Sequence, residues 1–505
     1  MNKLAVAALA IWVGCGDGGT GTPDAPVEPD APVDVTFQPG CMEIPQTGPN
    51  MFAAAADFGQ VVAGSLAAWE PDGRWFLTGT RVGGVSSFHI QKLANGIAIL
   101  DRDTDHPGTI DANAVFQRAT FEGGGETFIL AKRVANLLPD GSLRADRAVC
   151  DGQMCRVCTA RMIRATHLDG EGEGQGLVKL SELRGATWGP GFTFNVRVAG
   201  TLAYLIRQDG LHIIETADPE HPVELGKFRR AGDGYSNDVK IVDAAGGKRF
   251  AIIADFPVDI VDVTNPAAPV LAGQIAEEAH TLFTETRNGQ TRAYFGNYDG
   301  SCPVYDVTNP AAPQRLGRYQ SPGSIVHDLS VADGVAYLDA WEAGLIVVDF
   351  NNPAQPTVKG TWAPTPTETS HSNWTTVAGG RRIALHGEES YGAHLDVVDI
   401  DPASATFMQP FASWKTRDWV SIHNIMAFGE KAYFTHYQDG IRVLDLSNPA
   451  QPTQVGYYNT WDPQAAYTTN QFFEGAVGLD VDLARKLVFV ADSPRGLIIL
   501  RDDTP

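Results

Sequence analysis

The chain repeats one short phrase seven times, and this repetition restricts its fold more than any other feature. Each copy is an apolar segment that ends in an acidic residue, as in Leu345–Asp349 (LIVVD) and Val258–Asp262 (VDIVD). The other copies are Leu211–Glu215, Val304–Asp306, Leu395–Asp399, Ile441–Asp445 and Leu497–Asp502. From 215 to 445 the acidic residues recur every 43 to 50 residues. A period of this length, made of short apolar strands, predicts an all-β fold, a β-propeller with one four-stranded blade per repeat.

A proline-containing turn follows most copies of the phrase, as in TNPAAP at Thr264–Pro269 and SNPAQP at Ser447–Pro452. We expect the acidic side chain to accept hydrogen bonds from backbone N–H groups of that turn, because Asp commonly bonds to nearby backbone in turns. This prediction makes the acidic residues part of the scaffold.

The last repeat ends after its third strand. The segment 176–183 (GLVKLSEL), which precedes the first repeat, is similar to the fourth-strand segments Val223–Phe228 and Gln314–Tyr319. We predict that it completes the last blade and closes a ring of seven blades, because a closed ring leaves no free sheet edge.

Two longer stretches resemble the LVIVD-repeat proteins, which are exported or surface-anchored bacterial β-propellers. They are HDLSVADGVAYL at His327–Leu338 and GLIVVDFNNPAQP at Gly344–Pro356. The similarity covers roughly residues 190–505 and is strong through Ile422–Pro449. It departs at Glu215, which replaces Asp, and after Asp399, where DPASA replaces the N-P turn. The resemblance implies a fold and a location rather than a reaction.

The N-terminus predicts export. Lys3 precedes a ten-residue apolar run, Leu4–Val13, which is too short to span a bilayer and is typical of a signal peptide. The following WVGC resembles the lipobox of bacterial lipoproteins, with Cys15 as the lipidated residue. We therefore expect an outer-membrane lipoprotein that faces the periplasm or the cell surface. Simple secretion is the alternative.

The domain layout follows from these features. We assign residues 1–14 to a signal peptide, 15–49 to a disordered Gly/Pro/Asp tether, and 176–505 to the seven-bladed propeller. Residues 50–175 lack the repeat and show short strand-like runs divided by Gly and Asp-Gly turns. That pattern predicts a small antiparallel β domain that contains cysteines.

Export would place the remaining cysteines in an oxidising compartment, where disulfides are expected. We predict two disulfides among Cys41, Cys150, Cys155 and Cys158, with their connectivity open and a metal site as the alternative. Cys302 occupies an apolar position in a repeat strand, which predicts a buried free thiol.

The formal charge of -22 argues against nucleic acid as a partner, since such proteins need a basic surface. The sequence also lacks the GxSxG, P-loop, HExxH and Rossmann motifs. We therefore expect a monomeric binding or scaffold module at the cell envelope, held to the membrane only by its lipid. Its partner would be an envelope protein or a small ligand. The alternative is a metal-dependent hydrolase or oxidoreductase.

Four consecutive repeats place a histidine where the innermost strand begins. These residues are His280, His327, His371 and His423. Because the first strands of a propeller line its central channel, we expect the four side chains to lie around one mouth of the channel. Neutral imidazole is the commonest transition-metal ligand, so the pattern predicts a divalent metal, the one candidate cofactor, beside Glu388 or Glu389. Strand alternation offers the alternative that each ring points to the neighbouring blade and bonds to backbone.

The loops between the second and third strands should open on the same face of the propeller. We predict that polar and aromatic residues of these loops bind a ligand, with the aromatic rings stacking on a sugar or peptide. The alternative is that the aromatic rings pack in the core. The members of this ligand-binding set are Trp341, Glu342, His386, Glu388, Glu389, His436 and Tyr437.

Overall fold

The computed structural model describes residues 39–80, 87–93, 98–100, 107–123, 126–186, 188, 191–229, 236–363, 369–463 and 474–505. Within these ranges, residues 39–505 belong to one compact unit. The predicted signal peptide, the predicted lipidation site Cys15 and residues 15–38 of the predicted tether lie outside the described residues. The assignment of residues 40–45 to a disordered tether is wrong, because these residues form a strand that pairs within the first sheet. No helix in the described ranges is long and apolar enough to cross a membrane.

The described chain begins with a curled antiparallel sheet that resembles half of a barrel, here called the half-barrel sheet. Its strands are β1 (Gly40–Pro45), β2 (Gly73–Thr78), β3 (Ser87–Lys92), β4 (Ala98–Leu100), β5 (Thr109–Ile110), β6 (Ala114–Gly123), β7 (Glu126–Leu137), β8 (Leu143–Cys150) and β9 (Met154–Arg164). They pair in the order β4-β3-β2-β9-β8-β7-β6-β5, and β1 pairs with β9. A buried cluster that includes Trp75, Phe88, Val134 and Met162 forms the core of this sheet.

Two disulfides join strands of the half-barrel sheet. Cys41 lies opposite Cys158 in the β1–β9 register and bonds to it, and Cys150 bonds to Cys155 across the β8–β9 hairpin. The prediction of two disulfides among these four cysteines is confirmed, and the structure gives their connectivity. Cys302 is buried and free, as predicted.

Seven antiparallel blades, six with four strands and one with five, account for the rest of the described strands. Two short strands precede them, β10 (Gly174–Gln175) and β11 (Leu177–Leu183). Blades 1 to 3 are β12 (Thr193–Ala199), β13 (Leu202–Arg207), β14 (Gly210–Glu215), β15 (Val223–Phe228); β16 (Asp238–Ala244), β17 (Lys248–Ala254), β18 (Val258–Asp262), β19 (Val270–Ile275); and β20 (Ala279–Arg287), β21 (Gln290–Asn297), β22 (Ser301–Asp306), β23 (Gln314–Gln320).

The later blades follow the same plan. Blades 4 to 6 are β24 (Asp328–Ala332), β25 (Val335–Asp339), β26 (Leu345–Asp349), β27 (Thr357–Trp362); β28 (Ser370–Ala378), β29 (Arg381–Glu388), β30 (Leu395–Asp399), β31 (Pro410–Trp414); and β32 (Ile425–Phe428), β33 (Lys431–Thr435), β34 (Ile441–Asp445), β35 (Thr453–Tyr458). Blade 7 contains β36 (Ala476–Asp482), β37 (Leu487–Asp492) and β38 (Gly496–Asp502).

The blades form a closed ring. Each first strand contacts the first strands of both neighbouring blades, and β12 of blade 1 contacts β36 of blade 7. The strand β11 pairs with β38 and supplies the fourth strand of blade 7. The predicted closure by the segment 176–183 is therefore confirmed. The structure adds one feature, since β10 pairs with β35 and gives blade 6 a fifth strand.

The acidic residue of each repeat phrase holds the turn that follows it. In all seven described blades its carboxylate accepts a hydrogen bond, 2.7–3.0 Å long, from the backbone N–H two residues on. Asp349, for example, accepts from Asn351, and Glu215 does the same with Ala217. The prediction that these residues stabilise the turns is confirmed, and it extends to the copies that depart from the family pattern.

Candidate functional site

Two of the four histidines, His280 and His371, lie at β-bulges of the innermost strands. The pairing of β20 with β21 skips His280, and that of β28 with β29 skips His371. Phe194 and Val477, at the same position in blades 1 and 7, are skipped as well. A bulge interrupts strand alternation and re-aims the side chain of the extra residue. Strict alternation, on which the backbone-bonding alternative depended, therefore does not hold at these positions.

The four histidine rings form one continuous row at the start of the innermost strands, here called the histidine arc. Ring centroids are 4.1 Å apart between His280 and His327, 4.2 Å between His327 and His371, and 4.5 Å between His371 and His423. His371 is 2% exposed, and the other three side chains are half-buried. The structure thus brings together the four residues that the repeat alignment singled out.

Aromatic side chains from the loops between second and third strands cover the arc. The pairs and their ring-centroid distances are Tyr298–His280 (5.1 Å), Trp341–His327 (4.8 Å) and Tyr437–His423 (5.1 Å). The planes of Trp341 and His327 are inclined by only 28°, so these two rings are stacked. Tyr298 did not belong to the predicted ligand-binding set, although it occupies the same loop position as Trp341 and Tyr437. Aligning these loops across the repeats would have identified it.

Two of these aromatic residues have left-handed backbone conformations. Trp341 has a φ of 47° and Tyr437 a φ of 39°. This region is unfavourable for bulky residues and is found where the surrounding structure enforces it, often at functional sites. In both cases the carbonyl accepts a hydrogen bond from the next blade, from the N–H of Ser370 and of Ala476. The contact between blades therefore holds each aromatic residue at the mouth.

Burial keeps the arc uncharged. It is the largest cause that lowers the pKa of all four imidazoles, and other histidines lower it further in three of them. The pKa falls to about 4 for His280 and His423, and well below the ordinary value for His327 and His371. At neutral pH the arc therefore offers neutral imidazoles, the form that binds a metal ion.

The hydrogen bonds of the four imidazoles differ. His280 Nδ1 lies 2.6 Å from the side-chain nitrogen of Asn237 and 2.8 Å from the hydroxyl of Tyr298. His423 Nδ1 bonds to the Val477 carbonyl at 2.8 Å, which is the backbone bond to a neighbouring blade that the alternative described. By contrast, neither His327 Nδ1 nor either nitrogen of His371 makes a hydrogen bond of normal geometry to a described residue, although the backbone of His371 lies close to the His327 ring and that of His423 lies close to the His371 ring.

Glu389 is the carboxylate closest to the middle of the arc. Its Oε2 lies 3.6 Å from His371 Nε2, and its Oε1 lies 4.0 Å from His423 Nε2. The Tyr437 hydroxyl donates a hydrogen bond to Glu389 Oε1. His327, His371 and Glu389 each contribute one possible ligand atom, and these three atoms lie within 4.8 Å of one another. These three residues are the densest group of metal-binding atoms in the arc.

The other predicted ligand-binding residues make different contacts. Glu342 is exposed and accepts hydrogen bonds from the backbone and hydroxyl of Ser324 at 2.7 and 2.8 Å. His386 is fully buried, bonds to the Ser370 hydroxyl at 2.8 Å and packs against the Trp362 ring. His386 therefore lies in the interface between blades 4 and 5.

His436 is also fully buried. Its Nε2 lies 3.1 Å from the Thr416 hydroxyl, and its ring packs against Trp414 and Phe434. These contacts place it between blades 5 and 6.

Glu388 belongs to a second cluster of titratable groups. His394 lies between Glu388, 3.5 Å from Nδ1, and Asp396, 3.2 Å from Nε2. Burial raises the pKa of Glu388 to about 7, whereas the hydrogen bond to Asp396 raises the pKa of His394 to about 9. A protonated His394 repels a cation, so this cluster is a weaker metal site than the arc.

Polar side chains lie one residue further along the first strands and bond across blades. Asn195 donates to Asp238 at 2.8 Å, and the Thr281 hydroxyl reaches Asp238 at 3.2 Å and Asp328 at 3.0 Å. Burial, reinforced by the nearby Asp238 carboxylate, raises the pKa of Asp328 to about 6. This network ties the blades together around the channel.

The half-barrel sheet packs against the mouth face of blades 5 to 7. Phe76 of β2 lies in one buried cluster with Tyr437, Trp461 and Val477. Arg74 of the same strand forms a buried ion pair with Glu474, with 2.7 Å between nitrogen and oxygen. The sheet therefore covers the sector of the mouth next to Tyr437. Sequence reasoning gave it no role, because these contacts join residues about 400 positions apart.

A cleft of about 470 Å³ opens elsewhere in the molecule. His167, Glu173, Glu182, Trp461 and Arg495 are among its lining residues. It includes no residue of the arc and none of the predicted ligand-binding set.

Comparisons with known proteins identify the repeats. The LVIVD repeat model matches residues 233–276, 323–363 and 422–460, which correspond to blades 2, 4 and 6. The chain thus contains LVIVD repeats and forms a seven-bladed propeller within the described residues. A search of curated proteins finds no match.

Solved structures similar to the chain include three with 11–12% identity. The computationally designed Ika8 protein has 12% identity, 75% of this chain and 94% of that chain covered, and a TM-score of 0.40. Sqt1 from Saccharomyces cerevisiae has 12% identity, coverages of 62% and 96%, and a TM-score of 0.42. The WD40 β-propeller domain of Doa1 has 11% identity, coverages of 64% and 97%, and a TM-score of 0.44.

Proposed function

We propose that this protein is an exported, membrane-anchored binding module whose propeller mouth binds an envelope protein or a small ligand. A β-propeller repeat protein commonly serves as a binding or scaffold module. The observation that carries the proposal is the histidine arc with its aromatic cover. Tyr298 is 46% exposed and the arc is partly accessible, so polar nitrogens and aromatic faces converge at an open site. Ligand sites typically combine these two kinds of surface.

Export is supported by the two disulfides of the half-barrel sheet, since structural disulfides persist in oxidising compartments. Anchoring rests on the lipobox-like WVGC, with Cys15 as the acylated residue. A polar Gly/Pro/Asp segment after Cys15 would give the propeller reach from the membrane.

Fractionation of cells that express the full chain tests the anchor. The wild type should lie in the membrane fraction with an acylated N-terminus in mass spectra, because several acyl chains hold a protein stably on a bilayer. Cys15→Ser should move the protein to the soluble fraction or leave its precursor uncleaved. A soluble, unacylated wild type would reject the anchor.

A capture experiment with the exported full chain tests binding at the mouth. We expect Trp341→Ala to lose the specific partner or ligand, since this ring stacks on the arc. His221→Ala should keep it, because His221 is an exposed turn residue of blade 1. Equal recovery by the wild type and both variants would place binding elsewhere.

The second candidate function is a metal-dependent hydrolase or oxidoreductase that uses His280, His327, His371 and His423. The observation that favours it is the contact of four neutral imidazoles beside Glu389. A metal ion here would activate water or polarise a substrate. The metal-loaded chain should then hydrolyse nitrophenyl esters or phosphates, or consume dioxygen when a reductant such as ascorbate is added, and should lose this activity in His371→Ala. Inactivity of a loaded chain would reject the enzyme and leave the binding module.

A further inference from the structure

We infer that His327, His371 and Glu389 form a two-histidine, one-carboxylate site for a divalent first-row transition metal at the propeller mouth. The inference names the metal ligands of the second candidate function and rests on that proposal for the position of the site. The metal can bind whether or not the protein turns over a substrate, so the two can fail separately.

The environment of His371 is the main argument. The side chain is 2% exposed, and neither ring nitrogen makes a hydrogen bond of normal geometry to a described residue. Buried polar groups in proteins nearly always have a partner, and an exception needs a physical explanation. A metal ion bound through one nitrogen supplies that partner and explains why the protein keeps an imidazole here.

The distance between His371 and Glu389 fits two ligands of one metal ion better than it fits a direct hydrogen bond. At 3.6 Å, His371 Nε2 and Glu389 Oε2 are too far apart for a hydrogen bond. Ligands bound at about 2.0–2.2 Å to a tetrahedral metal lie about 3.3 Å from each other. The three possible ligand atoms span at most 4.8 Å, so small side-chain rotations bring all of them into range.

The two ends of the arc have other partners. His280 contacts Asn237 and Tyr298, and His423 bonds to the Val477 carbonyl. In the described part of the chain, His327 Nδ1, like both nitrogens of His371, makes no hydrogen bond of normal geometry. The ligand set is therefore drawn from the middle of the arc rather than from all four histidines.

Outer residues hold two of the three ligands in place. Tyr437 donates its hydroxyl to Glu389 Oε1, which leaves Oε2 on the side of His371. Trp341 stacks on His327 and restricts the rotation of that imidazole. Support of ligands by hydrogen bonds and packing is characteristic of metal centres.

Three protein ligands leave coordination positions for water or an exogenous ligand. Two imidazoles with one carboxylate occur in catalytic zinc sites and in non-haem iron sites. Because His327 is only half-buried, the open positions would face the mouth rather than the blade interior. A ligand with a carboxylate, phosphate or carbonyl oxygen fits such a centre.

Metal titration of the purified full chain tests the inference. After removal of metal with a chelator, Zn²⁺ is titrated against a chromophoric competitor, and Co²⁺ is used as a visible-spectrum probe. We expect one equivalent per chain. His327→Ala, His371→Ala and Glu389→Gln should each weaken binding by more than about 100-fold, and Tyr437→Phe by about tenfold, as for a lost outer partner. His221→Ala controls for surface imidazoles and should bind like the wild type.

X-ray absorption of the zinc-loaded wild type counts the ligands independently of any variant. Two imidazoles with oxygen ligands support the assignment, whereas four imidazoles would overturn it in favour of the whole arc. A metal-dependent rise in Tm, present in the wild type and absent in His371→Gln, guards against misfolded variants. The absence of stoichiometric metal, or unchanged affinity in all three ligand variants, would overturn the inference and leave the binding module. Binding without turnover would support the inference and reject the enzyme.

Discussion

At the scale of single residues, the acidic end of each repeat phrase works as a cap for the following turn. The Asp399 repeat shows how a departure from the pattern is accommodated. Its turn lacks the N-P pair, yet the Ser404 and Thr406 hydroxyls each donate to Asp399 Oδ2 at 2.6 Å. Asp399 also accepts a hydrogen bond from the N–H of Asp401 and forms an ion pair with Arg381. Additional hydrogen-bond donors to Asp399 therefore compensate for the missing N-P pair of this turn.

These donors make the stability of the protein depend on Asp399 at acidic pH. Burial alone would raise the pKa of Asp399, but the hydroxyl, backbone and Arg381 hydrogen bonds outweigh it and lower the pKa from 3.8 to about 2. A depressed folded-state pKa contributes stability above about pH 4, and this contribution is lost as pH falls through about 2. We expect Asp399→Asn to lower the free energy of unfolding by about 2 kcal/mol at pH 6, and by much less near pH 2.

Urea unfolding between pH 6 and pH 2 measures this effect. The matched control is the double variant Ser404→Ala/Thr406→Ala, which keeps the carboxylate but removes two donors. It should show an intermediate dependence on pH. A difference between Asp399→Asn and the wild type that does not change with pH would contradict the prediction.

At the scale of secondary-structure elements, the first strands of the blades position the histidines, and the half-barrel sheet carries the disulfides. The bulges in β20 and β28 take His280 and His371 out of strand alternation. The half-barrel sheet depends on disulfides that differ in the length of chain they close. Cys41 and Cys158 are 117 residues apart, whereas Cys150 and Cys155 are 5 residues apart.

The two disulfides should therefore contribute unequally to stability. In the chain-entropy model a longer closed loop restricts the unfolded chain more, which gives about 5 kcal/mol for the long loop and about 2 kcal/mol for the hairpin. We expect Cys41→Ser/Cys158→Ser to lower the free energy of unfolding more than Cys150→Ser/Cys155→Ser does. Guanidinium unfolding followed by tryptophan fluorescence compares the two. A larger loss in the hairpin variant would show that strand pairing, not loop closure, governs the sheet.

At the scale of the whole molecule, the half-barrel sheet and the propeller share a buried interface. The Arg74 and Glu474 side chains are 1% and 0% exposed, and the Trp461 indole also donates to Glu474 at 3.0 Å. Phe76 packs on Trp461 with 5.5 Å between ring centroids. Because Tyr437 belongs to the same buried cluster and bonds to Glu389, this interface reaches the histidine arc.

Removal of only one charge of the Arg74–Glu474 ion pair should strongly destabilise the protein. Arg74→Met leaves a buried carboxylate without its cation, which typically lowers the free energy of unfolding by about 3–5 kcal/mol. Arg74→Met/Glu474→Gln removes both charges and should recover part of that loss. Thermal and urea unfolding of the single and double variants form the necessary cycle. A double variant as unstable as the sum of the two single variants would mean that the charges do not interact.

Much of this architecture follows from the sequence alone. The period of the phrase predicts the blades, the segment 176–183 predicts the closure, and the alignment of first strands places His280, His327, His371 and His423 at one mouth. These features depend on interactions within one repeat or between equivalent positions of adjacent repeats. Strand periodicity and the bond from Asp349 to the N–H two residues on are local, so neighbouring residues are sufficient to encode them.

Other properties were decided only by the tertiary structure. The pairing of Cys41 with Cys158, the contact of Phe76 with Trp461 and the separate environments of His371 and His423 depend on chain segments that are distant in sequence. Equivalent positions in the repeats predict identical surroundings. Bulges, contacts with residues of the next blade such as Val477, and the asymmetric cover of the half-barrel sheet make these surroundings different. The repeat therefore encodes where the histidines lie, and the packing of distant segments determines which of them are left to bind a ligand.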